Sequence, residues 1–230
     1  MSPKSYSESA GQLRLYSGPL SMFGAKAQIA LHEKGLPFEL VMVPFDMARL
    51  YEPKHPEVLR VNPKRQVPVL IHDAVEIFDS TQIFEYLEEL APDPRLWPAS
   101  RKDRAGARLI ELLSDEVYFP HIIRLMGLQD RLDDPVAAAA RDAASAFYAR
   151  METEVEKSDY LVGTFGFADI AFFMAQFFGD RMGAPIGDEF PALVDWRARV
   201  GSRPAVSAVL SPMAALLKTQ GRRVPAWVPV

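Results

Sequence analysis

The chain has 230 residues, of which 49% are hydrophobic and 24% charged, and its formal net charge is -4. This is the composition of a globular protein, and it excludes a collagen-like or intrinsically disordered chain. The longest apolar stretch, residues 165–178, is interrupted by polar residues and too short to cross a bilayer, so it predicts a buried helix. The basic residues are scattered, so neither nucleic acid nor a membrane is an expected partner.

Cysteine is absent from the sequence. A disulfide scaffold, a thiolate zinc site, an iron–sulfur cluster and a cysteine nucleophile are therefore excluded. No apolar run follows a basic start, so no signal peptide is expected and the predicted location is the cytoplasm.

The first part of the chain predicts a strand, a helix and a second strand. Residues 1–11 are polar and Ser-rich, which is typical of a flexible tail. Residues 13–16 alternate like a short strand, residues 21–35 have helical spacing that ends at a glycine, and residues 38–43 form an apolar run. A strand, helix and strand in this order indicate a parallel unit with a right-handed crossover.

A proline-rich stretch, residues 44–63, then leads into a hairpin followed by a helix. The predicted elements are a helical piece, two strands and a longer helix, at residues 57–60, 67–71, 75–78 and 80–90. They complete an α/β domain over residues 12–92, and the prolines of residues 93–100 are typical of a linker.

Residues 101–218 predict an all-helical domain. Apolar residues recur there at intervals of three and four, without strand-like alternation, and predict helices at 101–125, 135–157, 168–178, 192–200 and 205–217. Residues 219–230 are predicted to be a C-terminal tail. The fold class is therefore an α/β domain followed by an all-α domain.

Common catalytic motifs are missing from this sequence. It has no phosphate-binding loop, dinucleotide fingerprint, Gly-x-Ser-x-Gly elbow or His-Glu-x-x-His motif. The four histidines lack metal-ligand spacing, so no metal is expected and each histidine is more simply explained as a packing or surface residue.

Pro68 interrupts an apolar run that otherwise resembles a strand. Proline cannot donate to a β-ladder, and a cis bond after Val67 would resolve the conflict by turning the backbone of Val67 outward. That backbone could then pair with an extended peptide ligand. An edge proline without a ligand is the alternative.

Two predicted helix starts carry polar residues that suit either capping or binding. Asp79 and Ser80 precede Gln82, a pattern that suits a capping box, and the same helix end could bind a carboxylate. Ser21 could simply cap the first helix, or its hydroxyl could donate a hydrogen bond to a bound thiolate.

In their order and spacing, several short motifs resemble the glutathione transferase family over nearly the whole chain. They are Ser21-Met22-Phe23-Gly24, Asn62-Pro63 before Gln66-Val67-Pro68-Val69-Leu70, Asp79-Ser80, residues 163–170, Pro191-x-Leu193-x-x-Trp196, and Arg203-Pro204. The resemblance implies a thioredoxin-like N-terminal domain, an all-α C-terminal domain, and glutathione as co-substrate. It also implies a homodimer and a role in detoxification.

The resemblance also implies where glutathione would bind. Val67, next to Pro68, would pair with the cysteinyl backbone, while Asp79 and Ser80 would hold the γ-glutamyl group. Lys54 looks like the lysine that plant tau-type members direct to the glycyl carboxylate. Gln66 stands where those members often have a second lysine, and Phe23 belongs to the same site.

Ser21 matches the thiol-activating serine of tau-like members, although Met22 replaces their proline. Ser17 and Tyr16 are the alternatives, because some classes of the family use a serine or tyrosine near the first strand. The absence of cysteine argues against deglutathionylation through a protein mixed disulfide.

A second substrate would bind between the domains. The expected lining residues are Met22, Tyr118, Phe119, Ile122 and Arg124, whereas Asp169 is expected to be a folding element. The predicted reaction is attack of the glutathione thiolate on an apolar electrophile. Ether or halide cleavage, peroxide reduction, and a non-catalytic glutathione-binding protein are the alternatives.

Overall fold

The first domain is built on a mixed four-stranded sheet in this computed structural model, which describes residues 11–228. The strands are β1 (Leu13–Ser17), β2 (Phe38–Met42), β3 (Val69–His72) and β4 (Val75–Phe78). Their order is β2-β1-β3-β4, with β1 parallel to β2 and the other neighbours antiparallel. The predicted parallel unit and hairpin are therefore confirmed. The predicted tail of residues 1–11, apart from Gly11, lies outside the described residues.

Helices cover both faces of the sheet and form the second domain. Their bounds are α1 (Met22–Glu33), α2 (Pro56–Val61), α3 (Ser80–Leu90), α4 (Arg101–Leu113), α5 (Phe119–Met126), α6 (Pro135–Val155), α7 (Phe167–Arg181), α8 (Pro191–Gly201) and α9 (Pro204–Thr219). A π-helical segment, Ser114–Tyr118, joins α4 to α5.

The side chains of β1 point alternately to the two faces of the sheet, and they contribute to two separate parts of the core. Leu13 and Leu15 belong to the large core that continues through α1 and α3 into the helical domain. Tyr16 belongs to a smaller cluster on the opposite face, which Val58 of α2 covers. This alternation is the ordinary consequence of the two-residue period of a strand.

The helical domain is organised around α7, in which every residue is buried. Asp169 ties the start of this helix to its surroundings by accepting N–H bonds from Gly166 and Leu161 and from the Trp196 indole. A side chain on Gly166 would meet the Leu96 carbonyl oxygen at 2.3 Å, which explains glycine as the helix cap.

Aromatic stacking and ion pairs join the two domains. The rings of Phe84 in α3 and Phe167 in α7 stack with centroids 4.2 Å apart. Arg203 donates two hydrogen bonds, of 2.7 and 2.6 Å, to the Glu33 carboxylate of α1. The described part of the predicted C-terminal tail also packs back, because Trp227 contacts the Phe173 ring and donates to Asp180.

Two predicted elements differ from the structure in an instructive way. β3 begins at Val69 rather than at Val67, since Pro68 has no N–H for the ladder. The predicted continuous helix 101–125 contains the π-helical segment, whose wider turn accommodates an extra residue. No regular helical period predicts that insertion.

Within residues 11–228 no single helix is long and apolar enough to cross a membrane. α8 and α9 meet that length and composition test only as a pair, and the pair is bent by 91°.

Candidate functional site

Two adjoining cavities lie where the first domain meets α4 and α5. Cavity A, of about 170 Å³, runs from the loop before β3 to the start of α3 and the end of α4. Cavity B, of about 270 Å³, lies between the start of α1, the segment before α2, and α5. Phe23, Gln66 and Val67 line both cavities, so one extended ligand can reach from one into the other.

Ser21 lies at the entrance of α1 and lines cavity B. It is the cap of this helix, and its Oγ accepts a hydrogen bond of 3.0 Å from the Gly24 N–H. A hydroxyl that accepts one bond still has its own hydrogen to donate. Capping and donation to a ligand are therefore compatible at this residue.

The loop before β3 contributes Gln66 and Val67 to the lining of both cavities. The Val67–Pro68 bond is cis, as the sequence predicts, and Pro68 lines cavity A. Asn62 supports this loop, because its side-chain amide donates a 2.6 Å bond to the Gln66 carbonyl and its oxygen accepts from the Lys64 N–H.

The start of α3 forms the far end of cavity A. Asp79 caps this helix by accepting from the Thr81 and Gln82 N–H groups, and its φ of +79° is unusual for a residue other than glycine. Ser80 is the first residue of the helix and lines the same cavity. A backbone strained in this way is often found where a ligand is held.

An acidic cluster from the helical domain closes cavity A. Lys26, wholly buried in α1, forms ion pairs with Glu111 of α4 and with Asp115 of the π-helical segment. Thr81 also donates a 2.7 Å bond to Glu111. The Oδ1 atom of Asp115 is buried without a hydrogen-bond partner among the described residues.

The charged groups in this cluster shift one another's pKa values. Burial raises the pKa of the Asp115 carboxyl to about 7, with Lys26 opposing the shift and Glu111 adding to it. Burial acts to lower the pKa of Lys26, but its two carboxylate partners outweigh burial and raise it. Lys26 therefore stays charged, and Asp115 changes its charge near neutral pH.

The two cavities have opposite charge. Cavity A is lined by four acidic residues and one lysine: Asp79, Glu111, Asp115, Glu116 and Lys64. Cavity B has no acidic residue among its described lining residues and carries Lys54, His55 and Arg65. A ligand with an ammonium at one end and a carboxylate at the other matches this separation of charge.

The remaining wall of cavity B is mainly apolar. Phe23 and Phe119 meet edge to face with ring centroids 5.6 Å apart, and they come from different domains. Met22 and Phe119 are predicted second-substrate residues that line this cavity, and its other apolar residues include Leu20, Val43, Met126 and Phe178.

Three predicted second-substrate residues do not line either cavity. Tyr118 is in the core, where its hydroxyl is 2.6 Å from that of Tyr148, and Ile122 is also fully buried. Arg124 is exposed on α5. Phe119 and Ile122 are three residues apart on α5, and the helix turns the first to cavity B while the second packs in the core.

Neither alternative to Ser21 is among the described lining residues of the cavities. Ser17 is buried, and its Oγ accepts a 2.8 Å bond from the Gln28 side chain. Tyr16 packs in the small cluster beneath α2, with its ring 5.0 Å from that of His55.

Sequence reasoning missed several residues of the site. Tyr51, His55 and Arg65 lie in irregular segments whose path has no simple periodicity. Glu111 and Asp115 lie on helices in the second domain, and only tertiary packing brings them to α3.

Comparison with known proteins agrees with this architecture. Residues 15–95 match the family profile of the glutathione S-transferase N-terminal domain, and residues 116–204 match that of the C-terminal domain. The chain belongs to the glutathione S-transferase family.

Similar proteins come from bacteria and plants. Protein LigF of Sphingobium sp. is 29% identical and the alignment covers 92% of this chain and 99% of LigF. Glutathione S-transferase U7 of Arabidopsis thaliana is 26% identical over 92% of this chain and 91% of its own. The crystal structure of a tau class glutathione S-transferase from mango superposes with a TM-score of 0.76 at 25% identity, covering 90% of this chain and 98% of the mango chain.

Proposed function

We propose that this protein is a glutathione transferase that ionises bound glutathione and transfers it to an electrophilic carbon. The observation that carries the proposal is the pair of oppositely charged cavities that share Phe23, Gln66 and Val67. Glutathione has the length, the backbone amides and the terminal charges to occupy this arrangement.

In this proposal the γ-glutamyl group occupies cavity A. Asp79 and the acidic cluster attract its ammonium, while the Ser80 N–H at the start of α3 receives its carboxylate. The backbone of Val67 pairs with the cysteinyl residue, and Lys54 attracts the glycyl carboxylate at the other end.

The sulfur then lies toward Ser21. A hydroxyl hydrogen bond, aided by the N-terminal end of α1, stabilises the thiolate over the thiol. Lowering the thiol pKa by about two units from about 8.5 increases the thiolate fraction at neutral pH roughly 25-fold. The thiolate attacks the electrophilic carbon, a carbon–sulfur bond forms, and the leaving group departs with the electron pair of its bond to carbon.

Glutathione binding is tested by thermal unfolding with and without the tripeptide. Ligand at 100 times its dissociation constant stabilises a protein by about 2.7 kcal/mol, which corresponds to a rise of roughly 5–10 °C for a chain of this size. An unchanged midpoint at millimolar glutathione would exclude the binding site.

Ser21→Ala tests the role of the hydroxyl. We expect the pKa of bound glutathione to rise, measured by thiolate absorbance during a pH titration, while affinity changes little. Ser17→Ala is the matched control, because it removes a neighbouring buried hydroxyl that accepts from Gln28 and lines neither cavity. A loss of affinity with an unchanged thiol pKa would assign Ser21 to binding instead of activation.

We also propose that the protein is a homodimer. Leu109 and Leu112 on α4 and Val117 on the π-helical segment are each about half exposed, and Leu112 lines cavity A. Neighbouring apolar side chains of this size are typical of an interface. Sedimentation of Leu109→Asp and Leu112→Asp should show monomers, and a monomeric parent protein would refute the proposal.

A further inference from the structure

The last residue of α7, Arg181, is a buried cation without an anionic partner. The residue is only 7% exposed, and its Nε atom is buried without a hydrogen-bond partner among the described residues. None of the ion pairs between residues 11 and 228 includes it, although the preceding residue, Asp180, pairs with Arg197 and Arg223.

The surroundings of Arg181 make its positive charge energetically unfavourable. Burial, together with the like charge of Arg222, lowers the pKa of the Arg181 guanidinium to about 10, so the side chain stays charged at neutral pH. A buried charge normally has a counter-ion, because desolvation is expensive unless an opposite charge offsets it. The Phe177 and Phe178 rings face the guanidinium, but no anion among the described residues offsets its charge.

Arg181 is not a lining residue of cavity B but lies directly behind its wall. Its guanidinium carbon lies 5.1 Å from the centroid of the Phe178 ring, and Phe178 lines the cavity. The Tyr51 side chain, which lines the same wall, interacts electrostatically with Arg181.

Tyr51 provides a second donor without a partner. Its hydroxyl oxygen is buried near the Leu20 backbone, and no described residue accepts its proton. Burial raises its pKa to about 12, so the phenol keeps its proton. A protonated phenol and a guanidinium together are well suited to a carboxylate, which accepts hydrogen bonds only.

We propose that cavity B takes an aromatic electrophile that bears a carboxylate, and that Tyr51 and Arg181 bind this carboxylate and thereby determine specificity. The inference rests on the proposed transferase function and names its substrate class. Phe23, Phe119 and Phe178 supply the apolar contact for the ring. The absence of an acidic residue from the described lining of cavity B leaves nothing there to repel the anion.

The test uses two pairs of compounds that differ only in charge. The reactive pair is 4-chloro-3,5-dinitrobenzoate and its methyl ester, with each enzymatic rate divided by the uncatalysed rate with glutathione. The unreactive pair is 3,5-dinitrobenzoate and its methyl ester, whose binding is measured by calorimetry on the full chain. The second pair gives a result even if neither electrophile is turned over.

The variants are Arg181→Gln and Tyr51→Phe, with Arg181→Lys retaining the charge. We expect Arg181→Gln to weaken binding of both benzoates by at least about tenfold, the effect of one charge-assisted hydrogen bond, and to change ester binding by less than about twofold. Tyr51→Phe should have the same selectivity with a smaller effect, and Arg181→Lys should recover part of the loss. Arg222→Gln is the control, because it removes an equal charge from an exposed residue nearby.

Three results would overturn the proposal. An equal loss of affinity for the benzoate and its ester in Arg181→Gln would show that Arg181 only supports the cavity. An unchanged affinity of Arg181→Gln for the benzoates would show that Arg181 does not bind their carboxylate. A weaker affinity of Arg181→Gln for glutathione, with benzoate binding unchanged, would show that the anion is a carboxylate of glutathione. Failure of the transferase function itself appears separately, as benzoate binding without turnover of either electrophile.

Discussion

At the scale of the residue, Asp169 shows how one buried carboxylate can organise a helix start. Its Oδ1 accepts from the Leu161 N–H at 3.0 Å and from the Trp196 indole at 2.8 Å, and its Oδ2 accepts from the Gly166 N–H. Burial raises its pKa to about 6, while these donors oppose the shift. The carboxylate lies at neither cavity, so we assign it a structural role.

Asp169→Ala should therefore destabilise the fold without changing the chemistry. Three buried donors lose their acceptor, and we expect a loss of about 3–5 kcal/mol in the free energy of unfolding. The measurement is urea denaturation, with Asp142→Ala on the exposed side of α6 as control and an expected change within about 0.5 kcal/mol. Loss of turnover at full stability would instead give Asp169 a role in catalysis.

At the scale of the element, the packing of α7 against the π-helical segment shapes the helical domain. Gly179 allows the close approach, since a Cβ there would lie 2.0 Å from the Tyr118 hydroxyl and 3.0 Å from that of Tyr148. These two hydroxyls form a buried chain that ends on the Ala184 carbonyl. Within the π-helical segment, Tyr118 packs in the core and Asp115 lies at cavity A.

The same substitution in two helices should have opposite effects. Gly179→Ala should lower the free energy of unfolding by about 1–3 kcal/mol, because the core must shift to admit the methyl group. Gly106→Ala should raise it by about 0.5–1 kcal/mol, because nothing lies within 4 Å of its added Cβ in the middle of α4. Chemical denaturation of both variants provides the check, and a stabilised Gly179→Ala would show that the hydroxyl pair is easily displaced.

Periodicity and capping signals in the sequence predicted much of the secondary structure. The predicted bounds of β4 and α3 agree with the structure, as does the cap residue Ser21, because these signals depend on nearby residues alone. Of the two predicted cap candidates for α3, the structure selects Asp79 over Ser80. The π-helical segment was not predictable in this way. Its register depends on which side chains α6 and α7 present to it, and those helices follow later in the chain.

At the scale of the whole molecule, the Lys26 cluster links the two domains electrostatically. One lysine of α1 faces two carboxylates of the helical domain, Glu111 and Asp115, in a buried setting. The Asp115 pKa is raised to about 7 from an ordinary value of 3.8. Between these two pH values the folded state binds more protons than the unfolded state, so this residue makes stability fall as pH rises.

The Asp115→Asn variant should therefore gain stability relative to the parent protein as the pH rises. We expect the difference in melting temperature, variant minus parent, to increase from pH 5 to pH 8 by several degrees, since about 1 kcal/mol corresponds to about 2–4 °C. Glu116→Gln, also at cavity A but exposed, is the matched control and should show little pH dependence. A difference that stays flat across this range would mean that Asp115 is ionised throughout.

The sequence by itself determined the two-domain architecture and the helix starts that carry Ser21 and Asp79, because these follow from local periodicity and capping. It also indicated an unusual loop at Pro68, because proline has no N–H for a strand. Only the tertiary structure decided the charge separation between the cavities, the turn of Tyr118 into the core and the position of Arg181 against the Phe178 ring, behind the wall of cavity B. These features join residues that are far apart in the chain. Their adjacency depends on how helices pack across the domain boundary, which no local pattern records.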